Sequence, residues 1–132
     1  MPRRLPARAL VVDHAYRLLL LHVTDGTSSW WEPPFLDTLR ADTGLTARVG
    51  PCVWVRRRGR VVRSEERFHV AWLDDPNAPR AAVAERARVL GEWWWTLDEL
   101  ADSGERFDPP SLPSLAPAVV RGEYATDPVD VS

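Results

Sequence analysis

A chain of 132 residues that is 45% hydrophobic and carries seven tryptophans is long enough for one compact domain with a core, and too short for a catalytic domain joined to a regulatory one. Its net charge of −2 and pI near 5.9 give no long-range attraction to phosphate backbones or anionic bilayers, which argues against nucleic acid and membranes as partners. All seventeen basic residues are arginine, so Schiff-base lysine chemistry and a phosphate-loop lysine are excluded, and the lone Cys52 can form neither an internal disulfide nor a paired-cysteine zinc site.

The longest apolar run, Ala15 to Val23, is broken by Arg17 and His22 and is too short to cross a bilayer, and no signal-peptide core follows Met1 to Ala9. A reducing cytoplasm is therefore the expected compartment. The bias toward Arg, Ala, Pro and Val with no Ile or Lys suits a GC-rich bacterial genome.

In chain order, Ala7–Val12 and Leu18–Val23 read as two strands of a hairpin across the polar turn Asp13 to Arg17, and a second turn follows at Asp25-Gly26. Trp30-Trp31 runs into Pro33-Pro34, after which Phe35 to Thr43 reads as a short helix with Gly44 as its C-cap. Val49–Arg58 and Arg60–Leu73 flank Gly59 as the longest hairpin, rich in β-branched and aromatic residues. Beyond the loop Asp74 to Pro79, the sequence predicts a helix over Ala81–Leu90, a strand over Glu92–Thr96, a helix over Leu97–Ala101 and a weak last helix over Leu115–Glu123. Residues 125–132 are polar and expected to be a disordered tail on a single domain spanning 1–132. Hairpins with a few intervening helices indicate a mixed α/β (α+β) layered architecture and not a regular βαβ array.

Four stretches in this order resemble the Nudix hydrolase superfamily. Ala7 to Leu21 is similar to its first hairpin, Trp30-Trp31-Glu32-Pro33-Pro34 to the approach to the signature box, and Thr43-Gly44-Leu45 to the end of that box. Glu65 to Ala71 and Trp93 to Leu100 are similar to its late strand and its tryptophan-to-helix step. The resemblance implies an α/β/α sandwich with a mixed central sheet. The family box reads Gly, five residues, Glu, seven residues, then Arg-Glu, an aliphatic, any residue, Glu-Glu, any residue, Gly and an aliphatic. Anchored at Gly44-Leu45, it puts Leu39 on the aliphatic position. Asp37, Thr38 and Ala41 then stand where Arg and two Glu are required, and only Asp42 keeps a carboxylate. The loop before the helix is read as deleted, leaving a degenerate box and a roomier apolar cleft. One aspartate cannot supply the several hard oxygen ligands that catalytic magnesium needs. No cofactor and no metal site are therefore expected, magnesium belonging only to the alternative reading below.

Candidate catalytic residues are Glu65, His69, His22 and Asp42, and candidate substrate-binding residues are Trp30, Trp31, Glu66, Arg67 and Trp94. Glu65, Arg67 and His69 alternate on one face of a strand, where Glu65 and His69 form either an acid/base pair or part of a surface salt-bridge network centred on Arg67. His22 ends a strand, as a contact for an anionic ligand or as a half-solvated side chain. The tryptophans either stack a planar ligand or fill the core. Arg56, Arg57 and Arg58 beside Gly59 read as a phosphate-binding patch or, more simply, as a solvated hairpin tip.

Three functions follow. The first is a small-molecule-binding protein, with metal-independent isomerase- or cyclase-type chemistry in a specialised biosynthetic pathway. The second is a residual hydrolase of a nucleoside diphosphate derivative, with Asp42, Glu65 and Glu66 holding magnesium. The third is a non-catalytic interaction protein with exposed tryptophans at an interface. A homodimer is compatible with all three.

Overall fold

The computed structural model describes residues 3–61, 63–76 and 88–132. In chain order the elements are β1 (Arg3–Arg4), β2 (Arg8–Val12), β3 (Leu18–Thr24), β4 (Ser29–Glu32), α1 (Leu39–Thr43), β5 (Ala47–Arg58), β6 (Ser64–Leu73), β7 (Val89–Trp95), α2 (Leu97–Asp102), α3 (Leu112–Val120) and β8 (Val129–Asp130). Among the described residues the strands form one mixed sheet, with the path β4-β3-β2-β6-β5-β8, β7 added to β3 and β1 added to β6.

The sheet has apolar residues on both faces, so helices cover both. Leu10, Val12, Leu18, Leu20, Phe68 and Val70 pack with Leu100 of α2 and Leu112, Ala116 and Val119 of α3. On the other face Ala9, Val11, Leu19 and Ala71 pack with Leu39 of α1 and with Leu45. Alternation along each strand produces the division, as successive side chains point to opposite faces. The expected α/β/α sandwich with a mixed central sheet is the observed architecture.

Three elements differ from expectation. The helix read from Phe35 forms only at Leu39, because Phe35 is used as a strand: it bridges Arg8, while Ala9 N–H donates to Pro34 O (2.8 Å) and Leu36 N–H to Ala7 O (2.8 Å). The tail expected to be disordered carries β8, parallel to β5. There Val131 N–H donates to Val55 O (2.9 Å) and the Val131 side chain is buried. Of the helix expected over Ala81–Leu90, residues 81–87 lie outside the described residues, and Val89 and Leu90 open β7.

Candidate functional site

The site begins with a turn. Asp25 Oδ1 accepts the Thr27 and Ser28 N–H groups (2.9 and 2.8 Å), and Gly26 takes a positive φ of 92° that a side chain would resist. This tight connection sets the register of β3 against β4, with Leu21 opposite Glu32 and Val23 opposite Trp30. From the other edge of β3, β7 places Val89 opposite Val23. Leu21, Val23, Trp30 and Glu32 therefore share one face, the face on which Leu19 packs against α1.

β2 and β3 are paired only at Val12↔Leu18, and the segment Pro33–Leu36 enters the opening at their other end. Arg8 occupies that opening. Its guanidinium lies 4.0 Å over the Phe35 ring and donates to Pro33 O (2.9 Å). It also pairs with Glu32 toward β4 and with Glu66 (3.1 Å) on β6.

α1 closes the third side. It is a single turn, ended by Gly44 in the left-handed conformation (φ 72°) and anchored by buried Leu39. Asp42, three positions on, shares the helix face of Leu39. It is 6% exposed, and Thr38 Oγ1 donates to its Oδ2 at 2.6 Å. Between these elements lies a cavity of about 350 Å³, walled by Leu21, Val23, Thr24, Trp30, Phe35 and Val89, with Arg8, Glu32, Asp42 and Arg88 as the charged groups among the described residues. That volume falls at the lower end of small-molecule sites.

The charged wall continues into the protein. Glu66 accepts from Arg8 through one oxygen and from Arg56 Nε (2.8 Å) through the other, and Arg56 Nη1 donates to Asp108 at 2.7 Å. Burial pulls the Arg56 pKa down, but hydrogen bonds to Asp108 and Glu66 outweigh it and the net shift is upward. Glu32 is held as firmly: one oxygen takes Arg8 and the other accepts the Trp30 indole N–H at 2.7 Å.

Of the residues singled out in the sequence, Asp42 and Trp30 meet at the cavity, and Glu66 supports it through Arg8. Glu65, Arg67 and His69 do not line it. Arg67 donates to Glu65 at 2.7 Å, a contact that raises the Arg67 pKa, and His69 Nδ1 lies 3.1 Å from Gly50 O. Four strand positions separate Glu65 from His69, about 13 Å at the usual rise, too far for direct contact. His22 stacks on Trp31, ring centroids 4.5 Å apart and 9° from parallel, and Trp31 in turn meets the edge of Trp95. Trp94 is buried in the core against α1. Sequence reasoning missed Arg8, Glu32, Phe35 and Arg88. Glu32 carried a local signal, lying between two tryptophans and two prolines, whereas Arg8 and Arg88 become site residues only through pairings across the sheet. Among the described residues, no three His, Cys, Asp or Glu side chains converge in an arrangement that could hold a metal ion.

The fold as a whole resembles that of several solved structures. The chain aligns with the E. coli ORF135 protein at 17% identity over 96% of each chain (TM-score 0.62). It aligns with the MutT protein from Methanosarcina mazei Go1 at 11% identity over 92% of this chain and 96% of that one (TM-score 0.65). An ADP-ribose pyrophosphatase from Streptococcus suis 89-1591 aligns at 12% identity over 98% of both (TM-score 0.64). The chain has the Nudix fold. No protein-family model and no curated protein matches its sequence. In this instance of the Nudix fold, the β3–β4 hairpin, the Pro33–Leu36 segment and α1 frame the cavity.

Proposed function

We propose that this Nudix-fold chain binds a small molecule and does not run magnesium-dependent pyrophosphate hydrolysis. The observation that carries the reading is the cavity wall, which among the described residues has five apolar or aromatic side chains, Thr24, two arginines, and two carboxylates that come from different elements. Catalytic magnesium takes near-octahedral oxygen coordination from clustered carboxylates. α1 presents Asp42 alone, already bonded to Thr38, and both Glu32 oxygens are engaged by Arg8 and Trp30. Glu65 and Glu66, adjacent on β6, point to opposite faces and cannot join Asp42 around one ion. These residues do not fit a magnesium cluster.

Any proton transfer to a bound molecule falls to Asp42 and Glu32, the carboxylates on the wall, so isomerase- or cyclase-type chemistry would be theirs. We place the chain in the cytoplasm, on its composition, and in a biosynthetic pathway, on the reading that the box is degenerate.

Native mass spectrometry and a chromatographic assay of AMP release from ADP-ribose, each with and without Mg²⁺, test the reading. The expected result is release no faster than the buffer blank and no Mg²⁺ adduct that Asp42→Asn removes. Mg²⁺-dependent turnover abolished by Asp42→Asn would end it.

A further inference from the structure

We propose that the cavity takes a planar, apolar-bodied molecule carrying one negative charge, its ring against Trp30 and Phe35 and its anion on Arg88. The proposal rests on the small-molecule reading above and names the ligand class.

The argument starts from a count of charges. Arg8 and Arg88 face Glu32 and Asp42 around the cavity, so among the described residues the wall carries two formal positive and two formal negative charges. Those four side chains by themselves give a diphosphate, with several charges concentrated in one group, no net positive field. Arg8 is committed to Glu32, Glu66 and Pro33 O, and its flat face lies on Phe35. Arg88 differs. Among the described residues it makes no ion pair, while its backbone is pinned to β3 by Thr24 N–H donating to Arg88 O at 2.9 Å. A guanidinium brought to the cavity rim by an anchored backbone, with no carboxylate partner among the described residues, offers a two-pronged site for one carboxylate-like anion.

The ring site is preorganised. The Trp30 indole is fixed by its N–H to Glu32 and by the Arg106 guanidinium 5.5 Å from its ring centroid, and Phe35 is held by its backbone bridge to Arg8. Immobilised aromatic walls lower the ordering cost of binding a flat ligand. Leu21, Val23 and Val89 add apolar wall beside Thr24.

Isothermal titration calorimetry with 2-naphthoate, its neutral isostere 2-naphthamide, and ADP with and without Mg²⁺ tests this on the intact chain. Naphthoate should bind about tenfold tighter than naphthamide, as expected of one charge-assisted pair. Arg88→Met should erase that preference without weakening naphthamide, and Trp30→Leu should weaken both. Salt provides a variant-free readout, since added NaCl should loosen naphthoate and leave naphthamide unchanged. Equal binding of acid and amide overturns the anion assignment while the small-molecule pocket stands. Tight Mg²⁺-dependent ADP binding overturns both readings, as does failure of both naphthalenes to bind.

Discussion

Glu66 is 6% exposed and accepts from two guanidiniums, Arg8 and Arg56, that are themselves largely buried. A buried carboxylate in that position matters less as a source of attraction than as a neutraliser, because removing it leaves two cations without their shared counter-charge. Glu66→Ala is therefore expected to lower unfolding free energy by about 3–5 kcal/mol, the range for breaking a buried ion pair. Glu66→Gln, which keeps an acceptor oxygen, should cost clearly less. Urea titration followed by tryptophan fluorescence measures both, and equal losses would mean that the effect is packing and not charge. Because Arg8 joins Glu66 to Glu32, the substitution should also alter ligand affinity at a cavity that Glu66 does not line.

Two elements carry further expectations. In β5 the pairing with β6 shifts register around Gly50. A Cβ built there would meet Trp72 Cζ3 at 2.7 Å and Val70 Cγ1 at 2.8 Å. Gly50→Ala should cost about 1–3 kcal/mol, the usual overpacking penalty, unless the Trp72 ring swings away. Thermal melts of G50A in the wild-type and in the Trp72→Leu background tell the two apart, since a clash with the ring makes the penalty smaller in the second background, where only Val70 stands in the way.

α2 is started by a reciprocal cap in which Thr96 Oγ1 accepts Glu99 N–H (3.1 Å) and Glu99 Oε1 accepts Thr96 N–H (2.9 Å). The backbone N–H of Thr96 holds the Glu99 carboxyl below its ordinary range. As pH falls, the unfolded chain therefore takes up this proton first. The cap's contribution is complete above the ordinary glutamate value and lost as pH drops through the lower folded one. Melts of wild type and Glu99→Gln should differ near neutrality and converge in acid; a constant difference would remove the carboxylate from the account.

The elements also show what was legible in the sequence. The β5–β6 hairpin and α2 were readable because their signals are local: β-branched alternation around a glycine, and Thr followed three residues on by Glu. The shortening of α1 was not, since Phe35 gives up helix for a backbone bridge to a residue far back in the chain. The same holds at the site. Asp42 and Trp30 could be read from a motif, whereas Arg8 and Arg88 have ordinary surroundings in sequence and acquire a role only once the strands are aligned.

At the scale of the whole molecule, the last residues close the sheet. Trp54 pairs with Val129 and Val55 with Asp130, Val131 is buried in the α2–α3 core, and Ser132 Oγ accepts the Arg57 N–H at 2.8 Å. Deleting residues 128–132 should cost at least about 1.5–3 kcal/mol, the worth of one buried aliphatic side chain, and expose the outer edge of β5. Differential scanning calorimetry and size-exclusion chromatography of the truncated chain check both consequences, and an unshifted melting temperature would show that β8 is dispensable.

The parallel alignment of β2 with β6 brings Arg8 beside Glu66 across a sequence separation of 58 residues. During synthesis β2 must wait, one edge unfilled, until the residues of β6 have left the ribosome. Loop closure of that span precedes any reward from the contacts it permits, which places the expected refolding time in the slower, millisecond-to-second class of small proteins. The arginine that borders the cavity is thus made well before one of its two counter-ions, Glu66.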